Sequence, residues 1–266
     1  MNKTKIDWCD SSFNFITGCY HDCPYCYARG IANRFKAKGD LVEPETYHLE
    51  YDDRQIIECN KQPYIIKDGK EVKQAYPYGF TPCYNRYKHD DFKKIKGRNV
   101  FMGSMSDMWG NWIPNRWLVE ILMTCEKAPQ HNYLFLTKNP KRYVDFFKRG
   151  ELPDGDNFWY GTTVNTPNTL YAYLGGFTIT HHTFLSIEPI LEDFGEFGGG
   201  GLADWVIVGA ETGNRKGKVI PQKEWIDNIV KICREHNTPV FMKESLRGLM
   251  GCDFIQEFPK ELAPTD

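Results

Sequence analysis

The sequence predicts an α/β protein built as a partial or complete βα barrel. From residue 99 onward, short apolar runs rich in β-branched and aromatic residues alternate with stretches of helical periodicity. Such runs suit strands buried on both faces, as in a parallel sheet. The intervening stretches carry helix punctuation, which fits βα units joined by right-handed crossovers. A doubly wound open sheet is the competing arrangement.

The first strand is expected at FNFIT (13–17), followed by a loop and the helix YARGIANRFKAK. Six more strands are expected at 99–103, 132–138, 157–165, 182–190, 204–211 and 239–245, giving seven. Pro114 opens a helix with Trp117, Leu118, Ile121, Leu122 and Cys125 on one stripe. Asn139-Pro140 reads as N-cap and first helical residue, with Gly150 as the stop. Thr166-Pro167 opens a shorter helix closed by Gly175, and Pro221 opens one with Trp225, Ile226, Ile229, Ile232 and Cys233 inward. The Gly198–Gly201 run reads as a flexible loop.

Residues 40–98 break this rhythm and read as an insertion after the first βα unit of a single domain spanning 1–266. One hairpin is expected at YIIKDGKEVKQ, where Asp68-Gly69 is a turn signal. The tail from Arg86 to Arg98 interleaves Lys and Arg with Tyr87, His89 and Phe92. It suits either a solvated loop or a contact surface for phosphates and stacked bases. Tyr76, Tyr78, Tyr84 and Tyr87 are candidates to line a pocket for a planar substrate.

Composition narrows the classes. The 266 residues carry 33 Lys+Arg and 35 Asp+Glu, a net charge of −2, which argues against a wholly electrostatic nucleic-acid binder. With 41% hydrophobic and 26% charged residues, a disordered chain, a collagen and a coiled-coil rod are excluded. No apolar run approaches the roughly 18 residues of a membrane span, so no membrane partner is expected. The N-terminus, MNKTKIDWCDSS, lacks the apolar core of a signal peptide, so a cytoplasmic location is expected. Nine cysteines in such a chain point to metal binding or catalysis rather than disulfides.

Three of the nine stand within TGCYHDCPYCYA as CxxxCxxC: Cys19, Cys23 and Cys26. Thiolates this close can converge from one loop on one metal centre, and thiolates favour zinc and iron–sulfur clusters. No second CxxC or HxxxH accompanies them, so three ligands would leave one coordination position open.

CxxxCxxC with an aromatic residue, Tyr25, before the last Cys resembles the signature of the radical S-adenosylmethionine (SAM) superfamily. The later runs FMGSMSDMW, LFLTKNP, FLSIEP, VIVGAETG and VFMKES are similar, in order, to an uncharacterised, often phage-encoded family of radical-SAM-like proteins. GSMSD stands where the superfamily usually has GGE. The resemblance implies a partial (β/α)6-type barrel with mostly parallel strands. It implies one [4Fe–4S] cluster on Cys19, Cys23 and Cys26, SAM on the open iron, and an external electron donor. The chemistry implied is reductive cleavage of SAM to a 5′-deoxyadenosyl radical that abstracts hydrogen from a substrate.

In parallel βα architectures, ligands bind at the carboxyl ends of the strands. The polar residues there, with Tyr25 of the motif, supply the expected site. Tyr25, Ser104, Asp107, Thr163, Asn165, Ser186 and Glu188 are the candidates for binding SAM, whose ammonium, carboxylate and ribose hydroxyls need such partners. Lys138, Glu211 and Lys243, towards the other side of a barrel, are the catalytic candidates within reach of substrate. The basic aromatic insertion and the strand-end lysines make a nucleic-acid base or nucleotide one candidate substrate. His181 and His182 precede their strand and read as structural. The competing reading is a binding module in which the cysteines hold a structural zinc or cluster, with Cys9 or His21 as fourth ligand. A third is a barrel that keeps the cluster without SAM chemistry.

Overall fold

The computed structural model describes residues 4–169, 181–195 and 203–264. The chain opens with β1 (Ser11–Phe13), β2 (Ile16–Thr17) and α1 (Tyr27–Arg34). The insertion then adds β3 (Leu41–Val42), β4 (Thr46–Tyr51), β5 (Arg54–Cys59), β6 (Tyr64–Lys67), β7 (Lys70–Lys73), β8 (Cys83–Asn85) and the short α2 (His89–Phe92). The βα rhythm follows as β9 (Asn99–Met102), α3 (Asn115–Glu126), β10 (Asn132–Thr137), α4 (Lys141–Lys148) and β11 (Phe158–Thr163). It ends with β12 (His182–Ile187), β13 (Trp205–Val208), α5 (Lys223–Glu235), β14 (Val240–Met242) and α6 (Arg247–Met250).

Among the described residues the main sheet has seven strands in the order β1-β9-β10-β11-β12-β13-β14. Every neighbouring pair is parallel. After the insertion the spatial order follows the chain order without reversal, so the architecture is a partial barrel and not a doubly wound sheet. Residues 167–169 begin the helix expected after Thr166. Its remainder to Gly175, and the Gly198–Gly201 run, lie outside the described residues.

Alternation along the strands sorts side chains to two sides. Val100, Met102, Tyr133, Phe135, Phe158 and Tyr160 pack with Trp117, Leu118 and Ile121 of α3 and with Tyr143 and Phe146 of α4. Between them, Phe101, Leu134, Trp159, Phe184, Trp205, Ile207 and Phe241 fill the concave side together with Trp8. Gly161 makes this filling possible: a Cβ there would lie 2.2 Å from the Phe184 ring. The C-terminal tail closes the strand-start end of the sheet. Asn99 Nδ2 donates to Leu262 O at 2.8 Å, and Trp205 Nε1 to Glu257 O at 2.9 Å. Among the described residues the opposite, carboxyl end of the strands stays open, and a cavity lies there. His182 stacks on Trp159 at the closed end, with centroids 4.4 Å apart.

The expected strand 13–17 is two. The Asn14 side chain turns the chain out of the main sheet, its Nδ2 donating to Ser104 Oγ at 3.0 Å and its Oδ1 accepting from Met105 N at 2.8 Å. Ile16 and Thr17 then pair with β8 of the insertion.

The insertion is more ordered than its sequence suggests. The hairpin at Asp68-Gly69 forms as β6 and β7, with φ of 51° and 71° at the turn residues. A second hairpin, β4–β5, turns at Asp52 and Asp53, and β5 pairs in parallel with β8. The basic tail turns inward. Arg86 pairs with Glu120 at 2.7 Å and Glu58 at 3.2 Å, and half-buried Lys88 donates to Asn14 O at 2.9 Å. Phe92 enters the core, while Lys93 and Lys94 pair with Asp90 and Asp91. Tyr84 is likewise core, so it lines no pocket for a planar substrate. Among the described residues no helix is long and apolar enough to cross a membrane.

Candidate functional site

A cavity of about 520 Å³ opens at the carboxyl ends of the strands, where Cys19, Cys23 and Cys26 all line it. Tight local geometry builds the cysteine loop. Gly18 has φ +86°, and a Cβ there would lie 2.3 Å from Thr81 O, so only glycine lets the loop cross the insertion backbone. Gly18 N donates to Met105 O at 2.9 Å, and Cys19 N to Phe80 O at 3.2 Å. Cys26 caps α1, its sulfur accepting from Arg29 N at 3.4 Å. Burial pushes the Cys19 thiol up to about 12, so metal binding there requires release of its proton.

Asp107 fixes this loop to the sheet. Its carboxylate accepts from His21 Nε2 at 2.7 Å, Thr137 Oγ1 at 2.7 Å, Lys138 N at 2.9 Å and Trp109 N at 3.0 Å. Burial pushes this carboxyl up, but the His21 hydrogen bond and charge outweigh it and hold it below the ordinary range. Sequence reasoning placed Asp107 at the site and missed its partner. His21 lies inside the motif, but nothing local announces a bond across 86 residues.

The other expected residues fall around the same cavity. Tyr25, Ser104, Thr163, Ser186, Glu188, Lys138, Glu211 and Lys243 line it. Asn165 stands behind the wall, its Oδ1 accepting from Tyr25 OH at 2.9 Å and Lys138 Nζ at 3.0 Å. Lys243 is ion-paired with Glu188. Glu211 is held by Arg215 in a two-pronged pair of 2.6 and 2.7 Å, and that guanidinium keeps its carboxyl below the usual range. Trp8, Phe101, Leu136 and Tyr27, which no sequence motif marks as site residues, also line the cavity.

Lys138 differs from its neighbours. Its ammonium meets Asn165 and sits 5.6 Å from the centre of the Tyr25 ring, with no carboxylate pairing it among the described residues. Burial lowers its pKa. A half-buried cation without an ion-pair partner costs stability and is a candidate for an anionic ligand group. Lys138→Met should therefore raise resistance to urea by about 1 kcal/mol while weakening ligand binding, the usual exchange at functional sites.

Among the described residues no three His, Cys, Asp or Glu side chains are drawn together around a single metal ion. A closed structural zinc site needs such convergence. His21 is committed to Asp107, and Cys9 lies against the aromatic filling of the sheet rather than in the cysteine loop. An iron–sulfur cluster spreads its thiolates over several irons. Three thiols lining one roomy cavity fit that donor set.

Fold and site together define a parallel half-barrel protein with a three-cysteine cavity at its strand ends. The chain belongs to a family described as proteins of unknown function (DUF5131), whose family model matches residues 3–248. No curated protein and no solved structure matches it.

Proposed function

We propose that this protein is a radical SAM enzyme. The observation that carries the reading is the placement of all three motif cysteines in one cavity with the polar strand-end residues. Cys19, Cys23 and Cys26 would hold a [4Fe–4S] cluster, with SAM beside it. When bound, the reduced cluster would supply the electron for reductive cleavage of SAM, and so the radical chemistry for hydrogen abstraction from substrate.

The chain's own residues bind, orient and exclude water. Asp107 and His21 hold the cysteine loop against β10. Asn165 fixes the Tyr25 hydroxyl and the Lys138 ammonium together. The Glu188–Lys243 pair and Lys138 offer opposite charges to the zwitterionic methionyl end of SAM and to substrate. Ser186 and Thr163 offer hydroxyls from adjacent strands. Trp8, Phe101 and Leu136 form an apolar wall that keeps water from the reaction.

The test is anaerobic reconstitution with iron and sulfide, followed by SAM and dithionite. Release of 5′-deoxyadenosine and methionine supports the reading. An iron-loaded protein that leaves SAM intact with dithionite and with a protein reductant refutes it.

A further inference from the structure

We propose that the outer face of α1 and the neighbouring β6–β7 hairpin bind single-stranded nucleic acid and lead it to the cavity mouth. The link to a reaction in the cavity rests on the radical SAM reading; the binding itself does not. Helix α1 buries Ala28 and Ala32 but exposes Tyr27, Ile31 and Phe35 by 54%, 36% and 59%. Their spacing of four places them on one helix face. The stripe starts at the cavity wall, because Tyr27 lines the cavity and its hydroxyl donates to Ser104 O at 2.7 Å.

Cations border the stripe. Residues 27–38 contain four Lys and Arg and no Asp or Glu, in a chain whose net charge is −2. Among the described residues, Arg34, Lys36 and Lys38 have no carboxylate partner, unlike Arg86, Lys93 and Lys94. A backbone bridge from Lys36 to Tyr76 and the pairing of β3 with β6 set the hairpin beside the end of α1. There Lys67, Lys70 and Lys73 are exposed and also lack carboxylate partners among the described residues.

Unpaired cations neutralise phosphates, and exposed aromatic rings stack bases. A duplex hides its base faces, so the stripe selects a single strand. An acidic protein would use the cations but not the stacking.

The experiment is fluorescence anisotropy of the full chain with a fluorescein-labelled oligothymidylate of about 20 nucleotides over a salt series. Wild type should bind it more tightly than the matching duplex. The triple variant Arg34→Ala/Lys36→Ala/Lys38→Ala should lower the slope of log affinity against log salt by about 2. Phe35→Ala should weaken binding about fivefold or more at unchanged slope. Lys93→Ala/Lys94→Ala should bind as wild type.

No binding, or an unchanged slope in the triple variant, would overturn the proposal. Equal displacement by poly-L-glutamate of matched charge, with Phe35→Ala silent, would also overturn it and give the surface to an acidic protein. The same titration on the iron-reconstituted wild-type protein, run beside the SAM-cleavage assay, separates the two readings. Strand binding without SAM cleavage removes only the enzyme reading. SAM cleavage without strand binding removes only this one.

Discussion

Replacing Cys19, Cys23 and Cys26 together by alanine should abolish iron loading, from about four irons per chain to none. All three thiols line the same cavity, and none has a disulfide partner in the structure. The fold should survive. These cysteines lie at the cavity edge, partly exposed, whereas the core is carried by the aromatic layers of the sheet. The sulfur cap at Cys26 is the main structural loss, worth about 1 kcal/mol for a capping residue. Far-UV circular dichroism should therefore match wild type while iron, sulfide and SAM cleavage disappear together. Full iron in a folded triple variant would place the cluster elsewhere. The remaining cysteines do not form a second motif, so loading near eight irons would equally contradict one cluster.

Asp107→Ala should be among the most destabilising single substitutions near the cavity. The carboxylate accepts from two backbone N–H groups, a threonine hydroxyl and His21. Truncation leaves those buried donors unpaired and releases the cysteine loop from β10. Breaking a buried charged network of this kind costs about 3–5 kcal/mol, read as a shift in the urea midpoint. Reconstituted iron should also become labile to oxygen and chelator. His21→Ala removes only the partly exposed partner and should cost less, while leaving the backbone N–H groups satisfied. Equal losses in both variants would show that the His21 bond alone carries the effect.

The pH dependence has a defined sign. The Asp107 carboxyl is held below its unfolded value by His21. Its contribution is full above about pH 3.9 and is lost as pH falls through the lower folded value. Asp107→Ala should be less stable than wild type at neutral pH, with the gap closing in acid.

The parallel sheet was legible because its signal is local. Each strand is a short run such as YLFL or WVIV, and each helix carries its own stripe and stop, as Trp117 to Cys125 do. The cysteine motif was legible for the same reason, since its three cysteines lie within eight residues. What escaped depends on partners far along the chain. Asn14 splits the first expected strand through bonds to residues 90 and 91 positions away. The inward packing of the tail from Arg86 to Arg98 likewise depends on distant partners, where Glu58 and Glu120 pair with Arg86 and the core takes Phe92. Asn165 was legible as a strand-end polar residue, but its place behind Tyr25 and Lys138 was not. The parallel pairing of β5 with β8 brings Cys59 to Cys83, with sulfurs 3.5 Å apart, and no spacing rule for hairpins anticipates it.

The central claim is that SAM meets a cluster held by the three cysteines. Electron paramagnetic resonance of the anaerobically reconstituted, dithionite-reduced protein, with and without SAM, tests it most directly. The expected result is a [4Fe–4S]+ signal whose g values shift when SAM is added. A cluster signal indifferent to SAM, or zinc in place of iron, would contradict it.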